Sequence, residues 1–270
     1  MLGRTLKMAF WVTYDHAGKL ILANLVWSAA IGVPAFLAWA AWATGDPAIR
    51  LVIGIPTTLA AFVVALPVTT IGLAEMVKEL IDTRDGSVWT MFRGIGRYWC
   101  RAIGLGVLFF VAVCSLATSA WFYAERLKDT APWAGFAISA VAVWGLVFVA
   151  LMSLLTAPAV VQKKAHIRET LRLTAALVID NPLFVIGLAI QLVFITIICV
   201  FVPILLLIYG AAIVVVASSA YEMLARKYAA RDQQAGHVAS RPTAKKEIFN
   251  DEDDDYLNRG FRDFLFPWKG

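Results

Sequence analysis

Few side chains in this 270-residue sequence have types and spacing that could do chemistry. The three histidines, His16, His166 and His237, lie in three separate segments, and none has a second metal-ligating residue at a useful spacing. No Ser/His/Asp or Cys/His grouping indicates an activated nucleophile. We therefore predict that the chain is not an enzyme and has no catalytic residue, no metal site and no bound cofactor.

Polar residues do occur inside long apolar runs, and two amides among them are candidates for an intramembrane polar site. Asn24 lies in the first run, and Gln191 lies among Ile and Val residues of the last one. Such residues either form hydrogen bonds between helices, which is the commoner role, or line a substrate path. Charged residues appear only at the ends of the runs, at Glu75 and Glu222. Proton-coupled transport and intramembrane proteolysis normally need such groups at depth, so both are disfavoured.

Two prolines, Pro56 and Pro67, interrupt the second apolar run, and a pair of threonines follows each of them. Broken helices expose backbone carbonyls and form binding sites in some transporters. Prolines are also common at simple kinks that Ser and Thr side chains stabilise. The kink is the favoured interpretation.

The elements that position these residues are predicted to be membrane-spanning helices. Five uncharged runs each reach the roughly 20 residues that cross a hydrocarbon core: 20–43, 51–72, 102–124, 133–161 and 183–221. Hydrophobic residues make up 60% of the chain, which excludes an ordinary globular domain. The predicted fold class is all-α, a polytopic transmembrane helix bundle.

The last run is nearly twice the length of one crossing, and Pro203 lies at its middle. Proline interrupts a helix, so this run is predicted to form a hairpin that turns near Val202–Pro203. The result is a six-span domain over residues 20–224, with a segment 1–19 before it and a tail 225–270 after it. The predicted spans are 20–43, 51–76, 102–124, 134–161, 183–201 and 204–224.

Basic residues are distributed unequally between the two sides of this six-span arrangement. Of the 24 Lys and Arg residues, all but Arg50, Arg126 and Lys128 fall on the side of the N-terminus. The positive-inside rule then predicts both termini in the cytoplasm, and hence a cytoplasmic (inner) membrane. Charge in this pattern indicates anionic lipid headgroups as a partner, and no nucleic acid.

Two cytoplasmic connections each contain a basic helix. In the first, Ser87 can cap a helix that runs to Arg101. Its apolar face is Val88, Phe92, Ile95 and Trp99, and an adjacent basic stripe consists of Arg93, Arg97 and Arg101. We expect this helix to lie in the membrane interface, docked on lipid or a partner. The alternative is a cytoplasmic extension of span three that packs on its neighbours.

The second connection, residues 162–179, repeats the pattern after span four. Its basic residues are Lys163, Lys164, Arg168 and Arg172, and its apolar face is Leu171, Ala175 and Val178. The pair Asn181-Pro182 is predicted to cap and open span five.

The tail combines an acidic block, Asp251 to Asp255, with large apolar residues beyond it. Phe261, Phe264, Leu265 and Trp268 follow helical spacing, although Pro267 opposes a regular helix there. We expect these four residues to dock on the bilayer surface, on the protein's own cytoplasmic face or on a partner.

Short motifs in the first 110 residues resemble the YesL-like family of bacterial integral membrane proteins. They are Asn24, Leu25 and Trp27; the block from Pro67 to Gly72; Lys78; the stretch 85–88; and Phe92. The separation of Asn24 from Pro67 is longer than in that family, and the tail is an addition. The resemblance implies an accessory role beside sugar-uptake systems and no catalytic residues.

The function expected from these features is a non-enzymatic accessory or scaffold subunit that binds or stabilises another membrane assembly. The alternative is a small-solute transporter or channel that uses the proline-interrupted second span and Gln191.

Overall fold

The computed structural model describes residues 1–127 and 131–236, and the side chains of those before 230. Within these ranges the chain is all helical, without a strand. The helices are α1 Leu2–Asp15, α2 Ala17–Ala43, α3 Pro47–Ile49, α4 Ile55–Leu59, α5 Leu66–Thr83, α6 Val88–Arg126, α7 Pro132–Lys163, α8 Ile167–Asp180, α9 Pro182–Phe201 and α10 Tyr209–Gly236.

In the described part of the chain, five helical stretches are long and apolar enough to cross a membrane. They are Ala17–Ala43, Pro47–Thr83, Val88–Arg126, Pro132–Lys163 and Pro182–Phe201. These stretches confirm a membrane helix bundle and match the first five predicted spans. The helix that follows, α10, is not among them because its hydrophobic part is diluted by Ser218, Ser219 and Glu222. The sixth span therefore stays a prediction.

The second span is one continuous helical stretch with two π-helical segments, Arg50–Gly54 and Ala60–Ala65, each of which comes shortly before a proline. Threonine hydroxyls near the prolines donate to carbonyls four residues back: Thr57 to Ile53 at 2.6 Å, and Thr69 to Ala65 at 2.6 Å. This is the distorted but unbroken helix that the kink interpretation predicts. It exposes no unwound segment.

The hairpin near Pro203 is also present, with a different boundary. Helix α9 ends at Phe201, and Pro203–Leu207 forms a 3₁₀ turn. Because this turn uses the residues after the proline, α10 begins at Tyr209, five residues later than the predicted start at 204.

The core of the bundle is built on the close packing of α5 against α6. Helix α6 passes so near the π-helical segment that a Cβ at Gly106 would overlap the Val63 carbonyl oxygen and lie 2.7 Å from Pro67 Cγ. Fully buried side chains continue this contact toward the α5–α6 turn; Leu73, Met76, Leu80, Met91 and Leu105 are among them. Further helices complete this core from the sides, through residues such as Leu155 of α7 and Leu224 of α10.

The prediction of a separate interfacial helix over residues 87–101 was wrong. Helix α6 runs without interruption from Val88 to Arg126, so the basic segment is an extension of span three, as the alternative proposed. The start was predicted correctly, because Ser87 and Thr90 form a capping box. No proline and no competing cap lies near Arg101. The helix therefore continues through the point where the side chains change from charged to apolar.

The first fifteen residues contain a helix that the sequence analysis did not predict. Helix α1 buries Thr5, Met8, Ala9, Trp11 and Val12 and packs mainly against α10. Leu2 also reaches Gly187, one turn into α9. Helix α1 therefore closes one end of the bundle beside the α8–α9 junction.

Replacement of Gly106 by Ala should destabilise the bundle by about 1–3 kcal/mol, because the added methyl group has no space against the Val63 carbonyl. Thermal unfolding of the purified protein in detergent measures this change. Gly96→Ala is the matched control on the same helix, since nothing lies within 4 Å of a Cβ there. Equal behaviour of the two variants would contradict the packing described here.

Candidate functional site

The basic stripe of α6 lies at the end of the bundle where α1, the α5–α6 turn and the α7–α8 turn meet, which we call the junction end. Two of its three arginines are engaged. Arg97 forms an ion pair with Glu75 at 2.9 Å, and Arg101 donates to the Lys164 carbonyl at 2.8 Å. Arg93 is exposed and has no hydrogen bond or ion pair with a described residue. Arg93 is thus the member of the stripe that is available to an anionic partner.

Tyr98 explains why two of the arginines are held in place. Tyr98 is 2% exposed, and the guanidinium carbons of Arg97 and Arg101 lie 6.0 and 5.9 Å from the centroid of its ring. Both distances are compatible with cation–π attraction. These contacts give Arg97 and Arg101 a structural role in joining α6 to α5 and α7.

Aromatic side chains cover the exposed side of the same segment. Trp89 is 67% exposed, Phe92 44% and Trp99 54%, and the rings of Trp89 and Phe92 lie 6.3 Å apart. The predicted apolar face is thus divided: Phe92 and Trp99 point outward, whereas Val88 and Ile95 pack against the core. Trp89 was missed, although its spacing of three residues from Phe92 puts it on the outward side.

We call Trp89, Phe92, Arg93 and Gly96 the aromatic–arginine face. The four residues follow offsets of zero, three, four and seven, so they share one side of the helix. All four are exposed. The face therefore combines two large apolar rings, a cation without a partner among the described residues, and open space at Gly96.

Asn24, the first predicted intramembrane polar residue, joins α2 to the α9–α10 hairpin. It is 1% exposed; its Nδ2 donates to the Leu206 carbonyl at 3.0 Å, and its Oδ1 accepts from the Ala211 N–H at 3.1 Å. Both ends of the amide are therefore used on backbone groups of the turn. This is the hydrogen-bonding role that the sequence analysis favoured.

Trp27, one turn further along α2, strengthens the same junction. Its indole Nε1 donates to the Thr70 hydroxyl at 3.0 Å. A Cβ at Gly210 would lie 2.6 Å from the Trp27 ring and 2.7 Å from Asn24 Oδ1, so α10 approaches α2 closely at this glycine. Asn24, Trp27 and Thr70, three of the residues that carry the family resemblance, thus meet in one structural cluster.

Gln191, the second predicted polar residue, is not part of that cluster. It is partly buried on α9 and makes no hydrogen bond with a described residue. The expectation that this long amide finds a partner is therefore not met within the described chain. The structure does not combine Asn24 and Gln191 into one polar site.

Asn181 begins span five as predicted, with Pro182 as the first residue of α9. Its side chain does not cap that helix. Instead, the amide reaches α10, where Nδ2 donates to the Tyr228 hydroxyl at 2.8 Å and Oδ1 accepts from Lys227. The α8–α9 junction is thereby attached to the extension of α10.

His16 stands between α1 and α2, near the α5–α6 turn. Burial is the main cause that lowers its pKa below the usual 6.5, and the nearby Lys19 lowers the pKa further. The imidazole is therefore neutral near pH 7. Among the described residues no group of three His, Cys, Asp or Glu side chains is arranged to hold a metal ion.

The four predicted docking residues of the tail, Phe261, Phe264, Leu265 and Trp268, lie outside the described residues, as does the acidic block 251–255.

Replacement of Asn24 by Leu should destabilise the protein by about 1–3 kcal/mol, because it leaves the Leu206 carbonyl and the Ala211 N–H without their partner. Gln191→Leu is the matched control, since that amide has no hydrogen bond to a described residue, and the unfolding midpoint of this variant should not fall. Unfolding in mixed micelles measures both variants. A greater loss for Gln191→Leu than for Asn24→Leu would contradict these assignments.

No family model, no curated protein and no solved structure matches this chain. The resemblance to the YesL-like family stays a prediction that rests on its motifs.

Proposed function

We propose that the protein is a non-enzymatic accessory or scaffold subunit of a bacterial cytoplasmic membrane that binds and stabilises another membrane assembly, such as a solute-uptake system. The observation that carries this proposal is the aromatic–arginine face, which presents two large apolar rings to solvent on an extension of a membrane-spanning helix. Exposed aromatic groups with a neighbouring arginine are the composition of protein-binding hot spots.

The position of this face along α6 favours a protein partner over lipid. Arg101 is the last charged residue before the uncharged run, so it marks the membrane boundary. At 1.5 Å per residue, Phe92 lies about 14 Å and Trp89 about 18 Å beyond Arg101 along the helix axis. The headgroup layer extends only about 5–8 Å beyond the hydrocarbon, so a helix of ordinary tilt carries both rings past it.

Lipid contact is proposed for the residues nearer the boundary. Trp99 is about 3 Å from Arg101 along the helix, at the level where tryptophan is enriched in membrane proteins. We therefore assign Trp99 to the membrane surface, and Trp89 and Phe92 to the partner.

The proposed topology has six spans, with α10 as the sixth and both termini in the cytoplasm. Support comes from the break at Pro203, after which α10 begins at Tyr209 as a separate helix. It also comes from the concentration of basic residues at the junction end, which the positive-inside rule places in the cytoplasm.

Topology can be tested with single cysteines at Gly45, Asp129 and Gln233 in a cysteine-free background. An impermeant thiol reagent on intact cells should label positions 45 and 129, whereas position 233 should need permeabilised cells. Each single-cysteine protein should label fully after permeabilisation, which controls for accessibility. Labelling of position 233 on intact cells would refute the six-span arrangement.

The partner proposal can be tested by placing a photo-crosslinking amino acid at Gly96 and irradiating native membranes. We expect a specific adduct with a membrane protein, and Trp89→Ala should weaken that association about thirtyfold, as for a hot spot of 2 kcal/mol. Trp121→Ala is the matched control, because Trp121 is 69% exposed on the same helix at membrane level. Loss of the adduct with Trp121→Ala but not with Trp89→Ala would refute the assignment.

A small-solute transporter or channel is the second candidate, and the unpartnered amide of Gln191 is the observation that favours it. Reconstitution into liposomes separates the two functions. Selective solute flux that Gln191→Leu abolishes would overturn the scaffold proposal, and flux no greater than that of empty liposomes would support it.

A further inference from the structure

We infer that the aromatic–arginine face is the docking site for the C-terminal segment of this same chain, residues 251–268. The inference rests on the proposed function, because it names a second occupant for the face that the partner is proposed to use. Docking of the tail would shield Trp89 and Phe92 until the partner displaces it.

The chemistry of the two surfaces is complementary. The face offers the exposed rings of Trp89 and Phe92 beside the unpaired guanidinium of Arg93. The segment offers five consecutive acidic residues at 251–255, followed by Phe261, Phe264, Leu265 and Trp268. Aromatic residues can pack on the rings while the acidic block attracts the arginine, an attraction that acts within a Debye length of about 8 Å.

Two other basic regions, the rest of the α6 stripe and helix α8, fit this segment less well. Arg97 is occupied by Glu75, and Arg101 by the Lys164 carbonyl. Helix α8 exposes Arg168 and Arg172, but Glu169 lies between them. Helix α8 also lacks aromatic residues. Arg93 is therefore the stripe arginine that combines a free charge with neighbouring aromatic rings.

The chain is long enough to reach the face. Residues 237–250 separate the end of α10 from the acidic block, and 14 residues can span up to about 46 Å. Helix α5 contacts both α10 and α6, so the axes of α10 and α6 are at most two helix spacings, about 16–20 Å, apart where all three pack. The covalent connection thus permits docking within one molecule.

Distance measurement between two spin labels can test this inference on the full-length protein in nanodiscs of a zwitterionic lipid. The labels are placed on the native Cys100 and on Phe266→Cys after Cys114 and Cys199 have been replaced. Cys100 is exposed one turn beyond the face, and Phe266 is not one of the four docking residues. We expect a narrow distance distribution centred at roughly 20 Å, as for neighbouring helices plus two label arms. A tenfold excess of unlabelled protein should leave this peak unchanged; its loss on dilution would refute docking in cis.

Substitutions then test whether the tail docks on the aromatic–arginine face. Arg93→Glu and the double variant Trp89→Ala/Phe92→Ala should each abolish the narrow peak, and high salt should reduce it. Arg172→Glu on α8 and Trp121→Ala are matched controls that should leave the peak intact. A broad distribution in the unmodified protein, or loss of the peak with Arg172→Glu only, would overturn the inference.

The partner adduct at position 96 in native membranes separates this inference from the proposed function. If the tail docks there, deletion of 251–270 should increase the yield of that adduct. Absence of the narrow peak with the adduct retained would refute tail docking alone. Absence of the adduct in both full-length and truncated protein, with the narrow peak retained, would refute the proposed partner and keep tail docking.

Discussion

The close approach of α6 to α5 is the constraint on which the rest of the structure depends. Two helices that meet at Gly106 leave no room for a side chain between α6 and the Val63 carbonyl. The π-helical segment Ala60–Ala65 and Pro67 shape the surface of α5 that makes this contact possible. Once the two axes are fixed there, α6 stays beside α5 as far as the α5–α6 turn.

The extension of α6 follows from that pairing. Its buried line, which includes Met91, Gly94 and Tyr98, continues the contact with α5 past the membrane boundary. The residues on the opposite side are exposed in the part of the chain that the structure describes, so Trp89, Phe92 and Arg93 point outward from the helix. A binding surface on a rigid helix loses little conformational entropy when a partner arrives, which favours tight association.

Sequence analysis predicted the parts of this molecule that hydropathy and proline determine. The membrane class, five spans, the break at Pro203 and the kinks at Pro56 and Pro67 all depend on local composition. The α6 extension was mistaken for a separate helix because its polarity changes near Arg101, whereas its backbone hydrogen bonding does not. Helix α1 was missed because two of its five buried residues, Thr5 and Ala9, are not large apolar residues.

The candidate site was predicted less well than the fold, for a physical reason. Which arginine of the stripe is free depends on partners in other helices: Glu75 for Arg97 and the Lys164 carbonyl for Arg101. The partners of Asn24 are backbone groups more than 180 residues away, and backbone groups carry no sequence pattern.

That separation has a consequence for the order of assembly. At about 5–20 residues per second, the ribosome needs roughly 10–40 s to deliver residues 206–211 after Asn24 has been made. During this interval the Asn24 amide lacks its final hydrogen-bond acceptor and donor, so α2 contains an unsatisfied polar group inside the bilayer. The α9–α10 hairpin therefore supplies the hydrogen-bond partners of the first span. A chain truncated before this hairpin would leave the Asn24 amide unsatisfied and exposed to membrane quality control.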